Sequence, residues 1–298
     1  MTATLVATAV PGRPPSRRSR LLVFGAFAGP LFVVTFLVEG ALRGAYDPMR
    51  HPVSSLALGP WGWVQVANFV VTGLLTLLLA AGLRRSLGSP PGHGSRPDLD
   101  SPPGPGSPPG PGSPPGPGSQ PRPGSQPRPG SQPRAGSQPR AGSLAGPGSW
   151  AGPGLSRGPG SLWGPVLVAV WGVGLVGAGV FVTDPVSGYP PGTPVLPAQP
   201  SWHGVLHDLV FSLPAFAALV LACAVMTRAF ARRHQPGWAL YSALTGAAVL
   251  VFFVLATAGF GQAGALVATA GLWQRLSVGA GWVWLTALAV HAHRGTSA

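Results

Sequence analysis

The sequence predicts an all-α polytopic membrane protein: a transmembrane bundle of six helices with a long disordered cytoplasmic loop. Three observations lead to this prediction. Only 8% of the 298 residues are charged, whereas soluble domains carry about 25%, and the mean hydropathy is positive at +0.33. Outside one low-complexity segment, the chain divides into six apolar stretches of about 20 residues, the length that crosses a bilayer. Positive charge gathers in alternate connections between these stretches.

The predicted spans are residues 21–38, 63–83, 162–182, 203–227, 238 to about 258 and 272 to about 290. Pro30 interrupts the first and Pro214 the fourth, which membrane helices tolerate more readily than soluble ones. Gly25 and Gly29 in the first span favour close helix packing. The expected organisation is a cytoplasmic tail at 1–20, helices 1–2 within 21–88, a disordered linker at 89–161, helices 3–6 within 162–293 and a cytoplasmic tail at 294–298.

The predicted linker contains a tandem hexapeptide array at residues 101–160. Its units read SPPGPG, SQPRPG, SQPRAG and degenerate versions of these, so more than half of its residues are Gly or Pro. So few apolar side chains cannot compensate the entropy lost on ordering. We therefore expect a passive, disordered tether. The alternative is a proline-rich protein ligand, because the PPGP units fit the P-x-x-P pattern.

The charge distribution predicts the orientation of the chain. All 19 basic residues are Arg, and the net charge is +13, which by itself would suggest nucleic-acid binding. These arginines concentrate in the N-terminal tail, the long loop and the connection after the fourth span. Because positive charge accumulates in cytoplasmic loops, we expect both termini and the array to be cytoplasmic in a bacterial plasma membrane. The predicted partner is the lipid bilayer, with no nucleic acid. The single Cys223 excludes an intrachain disulfide and a Cys-rich metal site.

Polar side chains gather at the opposite ends of the spans, where they form a predicted outer cluster. Ionisable residues near membrane spans are costly and therefore point to function. The cluster comprises Glu39, Asp47, Arg50, His51, Ser54, Gln65, Asn68, Asp184, His203, His207, Asp208 and Arg275. It favours either a structural or small-ligand-binding role or a catalytic one. Gln65 and Asn68, three residues apart on a helix, are typical of hydrogen bonds between membrane helices.

Two further features belong to this outer side. Tryptophans suit the interface between membrane and water, and we assign Trp61, Trp63, Trp202, Trp273 and Trp282 to that belt. The loop DPVSGYPPGTP at 184–194 is expected to fold over a mouth between the third and fourth spans.

The segment SWHGVLHD at 201–208 is the sharpest local motif. Ser201 can cap a helix start, which places His203 and His207 one turn apart on the same face. The two imidazoles could share a zinc ion whose other ligands come from Asp184, Asp208, Glu39 or His51. Such a site would activate water for hydrolysis of a lipid or lipid-linked substrate at the outer leaflet. The alternative is a pair of interfacial histidines hydrogen-bonded to Asp and to the backbone.

Three motifs together resemble the bacterial domain of unknown function family 998: HPVSSLALGPWGWVQVANF, TDPVSGYPPGTP and HGVLHD. This resemblance covers the spans from 21 to 293 and leaves the hexapeptide array as an insertion. It implies a six-span integral membrane protein and no established activity.

A fainter similarity extends to seven-span membrane hydrolases of the alkaline ceramidase and progestin/adiponectin-receptor superfamily. These combine a Ser, an Asp and an HxxxH pair around zinc. That similarity implies Ser54 or Ser55 and Asp184 as catalytic candidates, with the His203/His207 pair on the metal.

Overall fold

A computed structural model describes residues 16–88 and 160–295. All of the long elements in these two stretches are helices, so the predicted all-α fold is confirmed. The predicted linker at 89–161 lies almost entirely outside the described residues, as does the N-terminal tail up to residue 15.

Eight α-helices follow one another along the described residues. They are α1 Arg17–Ala26, α2 Ala28–Leu42, α3 Gly62–Gly88, α4 Gly160–Val180, α5 Trp202–Val205, α6 Leu213–Arg232, α7 Pro236–Phe260 and α8 Ala270–Arg294. Two short 3₁₀ helices, Val53–Ala57 and Gly264–Thr269, lie in loops, and a π-helical turn, Leu206–Ser212, joins α5 to α6.

Five helical segments of the described residues are long and apolar enough to cross a membrane. They are Arg17–Leu42, Gly62–Ser86, Leu162–Val180, Trp202–Arg232 and Pro236–Phe260. The predicted sixth span coincides with α8, which has 25 residues and is therefore about 37 Å long. It is not among the five segments above, and it carries the polar side chains of Gln274 and Arg275 near its start.

The six spans pack neighbour to neighbour and close into a ring. The order around the ring is α1/α2, α3, α4, α6, α7 and α8, with α8 packed back against α1. The interior is aromatic: the Phe32 ring lies 5.5 Å from the Trp282 ring, which lies 5.9 Å from Trp171. Trp282 is only 2% exposed, so its predicted place in the interfacial belt is wrong. It faces the bundle interior from the middle of α8.

The tightest helix pair, α3 and α4, meets at two glycines. A Cβ atom at Gly73 would lie 2.8 Å from the carbonyl oxygen of Gly172, and one at Gly172 would lie 3.0 Å from the carbonyl oxygen of Gly73. Neither position has room for a side chain, which is how small residues allow membrane helices to approach closely.

The two ends of the bundle differ in charge. One end, which we call the basic end, carries the arginines at the start of α1, the end of α3, the end of α6 and the end of α8. They are Arg17, Arg18, Arg20, Arg84, Arg85, Arg228, Arg232, Arg233 and Arg294. Contacts such as Arg18 Nε to Ser86 Oγ (2.8 Å) and Ser19 Oγ to His293 Nδ1 (3.1 Å) bring these helix ends together. We call the opposite end, which holds the predicted polar cluster, the polar end.

Candidate functional site

The fourth span changes helical pitch where it enters the polar end. Pro214 lacks the N–H that an α-helix would need there, and its ring would crowd the preceding turn. The π-helical turn absorbs this conflict, and its Leu213 N–H donates to the carbonyl of Asp208, five residues earlier. Such turns are frequent at functional sites. Here the turn leaves His207 buried and the adjacent Asp208 exposed.

The two histidines of this segment hydrogen-bond to the backbone at the end of α4. His203 Nδ1 lies 2.7 Å from the carbonyl oxygen of Val182, and His207 Nδ1 lies 2.7 and 3.0 Å from those of Phe181 and Ala178. Because a carbonyl only accepts, each Nδ1 carries the hydrogen. The histidines thus satisfy carbonyls that the end of a helix leaves unpaired. In the neutral rings, Nε2 remains as an acceptor.

Asp184 fastens the loop after α4 to the start of α5. Its carboxylate accepts from the Ser201 N–H at 2.8 Å and from the Ser201 hydroxyl at 2.6 Å. Ser201 Oγ in turn accepts from Gly204 N–H at 3.0 Å, which is an N-cap. The carboxylate packs directly against Gly204, where a Cβ atom would collide with it. Asp184 therefore has a positioning role in the fold and does not line the cavity described below.

Glu39 is held at the end of α2. It accepts from Arg43 Nη2 at 2.6 Å, and the same guanidinium also donates to the carbonyls of Leu56 and Leu58 at 2.8 and 2.7 Å. This ion pair ties α2 to the loop before α3.

A second set of polar side chains joins that loop to α8, and we call it the cap network: Tyr46, Asp47, His51 and Arg275. Arg275 donates to the carbonyls of His51 and Gly271 at 3.0 and 2.9 Å and to the Tyr46 hydroxyl. Tyr46 donates onward to the Pro52 carbonyl at 2.9 Å. The Asp47 N–H donates to His51 Nδ1 at 2.9 Å.

Tyr46 and His51 of the cap network are buried, and burial shifts their pKa values. Burial raises the pKa of Tyr46 to about 12, against the opposing charge of Arg275. Burial lowers the pKa of His51, and the charges of Arg50 and Arg275 lower it further while Asp47 opposes the shift. The ring of Tyr189, from the loop after α4, packs 5.1 Å from His51. His51 is therefore a neutral, structural histidine at neutral pH.

Gln65 and Asn68 lie inside the bundle on α3. Asn68 Nδ2 lies 3.2 Å from both the Phe32 carbonyl oxygen on α2 and Gln65 Oε1. Gln65 is fully buried. Both amides thus contribute to packing between α2 and α3.

The predicted metal ligands are divided among these separate contacts. His203 and His207 pair with the end of α4, Asp184 with Ser201, His51 with Asp47, and Glu39 with Arg43. Within residues 16–88 and 160–295, no group of three or more His, Cys, Asp or Glu side chains is arranged to hold a metal ion. The zinc site and the catalytic roles of Ser54 and Asp184 stay predictions.

A cavity of about 340 Å³ opens at the polar end, between α3, α4, the π-helical turn, α7 and α8. Its walls are mostly apolar, with Trp171, Phe216 and Ala256 among them. Its polar lining residues are Ser54, Thr183, His207, Asp208, Ser212, Thr257 and Gln274. We call Ser54, Thr183, His207, Asp208 and Gln274 the mouth. Val186 belongs to the loop at 184–194 that is expected to fold over this region, and Thr183 directly precedes that loop.

The family model described as "Protein of unknown function (DUF998)" matches residues 26–96 and 141–291. The chain belongs to this family. No curated protein and no solved structure matched the chain. The two matched stretches include every residue that lines the cavity, so the cavity lies within the part of the chain that defines the family.

The cavity brings together some of the predicted site residues and leaves out others. Ser54, His207 and Asp208 line it, whereas Asp184, His203, His51 and Glu39 do not. The apolar wall was missed by sequence reasoning, because Trp171 and Ala256 read simply as parts of membrane spans. The signal that points to it is Pro214, which disrupts the fourth span beside the cavity.

Proposed function

We propose that this protein binds the apolar part of an amphipathic small molecule in the cavity, with the polar part of that molecule at the mouth. The observation that carries the proposal is the cavity itself, which has apolar walls and polar groups gathered at the polar end of the bundle. Small-molecule sites are typically concave and mostly apolar, with a few placed polar groups that fix orientation.

The size of the cavity limits what it can hold. Its volume of about 340 Å³ is roughly twice that of an apolar cavity of about 150 Å³ that holds one benzene molecule. This space suits a single short chain or a ring system of about a dozen heavy atoms. It is too small for both chains of a membrane phospholipid.

The position of the cavity favours entry from the bilayer. Leu209 and Leu213 belong to its lining, yet they are 60% and 46% exposed on the bundle surface. On a membrane-spanning helix, an exposed surface of this kind faces lipid. A ligand dissolved in the bilayer would thus reach the cavity between the fourth span and α7.

We further propose the orientation in a bacterial plasma membrane. The basic end would face the cytoplasm, together with the tails at 1–20 and 294–298 and the linker at 89–161, and the cavity mouth would lie at the outer leaflet. The clustering of nine described arginines at one end supports this. The exposed Trp202 is compatible with a membrane–water interface at the other end.

Binding of decan-1-ol tests the proposal. With the protein in nanodiscs of zwitterionic lipid, decan-1-ol should displace a bound fluorescent amphiphile saturably, after correction for partition into empty nanodiscs. Ala256→Leu adds three carbons to the cavity wall and should weaken binding at least tenfold. Ala247→Leu makes the same change on the exposed face of α7 and should bind like the wild type. If decan-1-ol binds equally well to the wild type, Ala256→Leu and Ala247→Leu, the cavity is not its binding site.

A further inference from the structure

We infer that the molecule bound in the cavity carries a cationic amine head, which is paired by the carboxylate of Asp208. This inference rests on the proposed function and adds the chemical class of the ligand. It follows from the hydrogen bonding of the acidic residues, the depth of Asp208 and the groups that surround the mouth.

Asp208 differs from the other three acidic residues in the described stretches. Glu39 pairs with Arg43, Asp47 accepts from the Met49 N–H at 2.9 Å, and Asp184 accepts from Ser201. The carboxylate of Asp208 makes no hydrogen bond or ion pair with any residue that the structure describes. Among the described residues that line the cavity, it is also the only acidic one.

Asp208 is exposed on the protein surface, but its depth within the fourth span makes an unpaired charge there expensive. The residue lies six positions after Trp202, whose 71% exposure suits the membrane interface. Six helical residues, at an α-helical rise of about 1.5 Å each, place Asp208 at most about 9 Å further along the span. Carboxylates within spans almost always pair with another group or face water. No arginine is among the described residues that line the cavity, and the ion pair Glu39–Arg43 lies elsewhere.

The groups next to Asp208 also favour a ligand head group that donates hydrogen bonds over one that carries a negative charge. The Nδ1–H of His207 is used by the carbonyls of Ala178 and Phe181, so the remaining ring nitrogen accepts when the ring is neutral. Arg275, the nearest arginine on α8, already donates to two carbonyls and to Tyr46. A carboxylate, sulfate or phosphate head would meet the charge of Asp208, and no arginine is among the described lining residues to offset it.

The experiment compares three ten-carbon compounds that differ only in their heads: decylamine, decan-1-ol and decanoate. Binding is measured at pH 7 in nanodiscs of zwitterionic lipid by displacement of a neutral fluorescent amphiphile. We expect decylamine to bind about tenfold more tightly than decan-1-ol, a ratio that corresponds to about 1.4 kcal/mol, and decanoate to bind most weakly.

Substitution of Asp208 identifies the origin of that preference. In Asp208→Asn, the ratio of the decylamine and decan-1-ol affinities should fall close to one. Asp47→Asn is the matched control, because it removes an exposed carboxylate from the same end but not from the cavity lining, and it should keep the wild-type ratio.

The possible outcomes distinguish the inference of an amine head from the proposed function of the cavity. If decan-1-ol binds but decylamine has no advantage, or if the advantage survives in Asp208→Asn, the amine inference is wrong and the cavity proposal stands. If decanoate binds best, the inference is also wrong. If none of the three compounds binds saturably, both the inference and the proposed function fail.

Discussion

The cap network and the cavity mouth lie at the same end of the bundle but differ in how their polar groups are used. In the cap network, Arg275 donates to Tyr46 and to two carbonyls, and His51 accepts from the Asp47 N–H. At the mouth, the Asp208 carboxylate makes no hydrogen bond or ion pair with a described residue. Polar residues that look alike in the sequence therefore divide into a set that holds the loops in place and a carboxylate available to a ligand.

The cap network and the mouth use their polar groups differently because the two regions bury different parts of the chain. The chain between α2 and α3 buries backbone carbonyls such as those of His51 and Pro52, and these need donors. Arg275 and Tyr46 supply them. The mouth borders a cavity instead, and there the Asp208 carboxylate keeps its hydrogen-bonding capacity. Substitutions should consequently lower stability in the first region and change binding in the second.

The largest expected effect is on stability, from Arg275→Leu. The substitution leaves the carbonyls of His51 and Gly271 and the hydroxyl of Tyr46 without their donor. Hydrogen bonds to charged groups contribute about 1.5–3 kcal/mol each and do not simply add, so we expect a loss of about 3 kcal/mol in the free energy of unfolding, measured by denaturant titration in detergent. Arg233→Leu, on the exposed basic end, is the control and should change stability by less than about 0.5 kcal/mol. Similar losses of stability in Arg275→Leu and Arg233→Leu would contradict the structural role assigned to the cap network.

A matched pair of Asp→Asn substitutions should give the next largest effect. Asp184→Asn weakens the two hydrogen bonds from Ser201 and should cost about 1.5 kcal/mol. Asp208→Asn loses no described partner and should change stability by less than about 0.5 kcal/mol. Thermal unfolding of both variants in the same detergent provides the comparison. A greater loss in Asp208→Asn than in Asp184→Asn would place Asp208 in the structural set.

The smallest expected effect is a pH dependence that arises from His51. Because burial lowers the pKa of His51 below its usual value, the unfolded chain binds a proton that the folded chain does not, over the range just below about pH 6.5. Stability should therefore be complete above about pH 6.5 and fall as the pH is lowered through the folded-state pKa. The charged and titratable groups around His51 are Asp47, Arg50, Arg275, Tyr46 and Tyr189.

The variant His51→Asn isolates this effect, because Asn does not titrate and offers an oxygen to the Asp47 N–H. Its melting temperature should vary less between pH 7 and pH 5 than that of the wild type. If the melting temperatures of the two proteins change equally with pH, His51 does not contribute to the pH dependence of stability.

Most of the fold could be predicted from the sequence, because apolar length and arginine placement are local properties. Each of the six predicted spans coincides with a helical segment of the bundle. Trp282 shows the limit of such reasoning. A tryptophan suits both an interface and an aromatic interior, and only its packing against Phe32 and Trp171 distinguishes the two.

The site could be predicted only as a list of residues. The sequence places His203, His207 and Asp184 near one another, but their partners are backbone groups and Ser201. Which carbonyls need a donor depends on where α4 ends and how the loop after it returns. The cavity likewise depends on the π-helical turn before Pro214 and on the distance between α4 and α7. No local sequence pattern encodes that distance.

The most direct test of the account is to locate a bound amphiphile by a heavy atom. The protein is crystallised with 10-bromodecylamine, and the bromine is found by anomalous diffraction. The account predicts bromine inside the cavity, against Trp171 and Phe216, with the amine nitrogen at hydrogen-bond distance from the Asp208 carboxylate. Bromine found solely on the lipid-facing surface, with the cavity free of the compound, would contradict it.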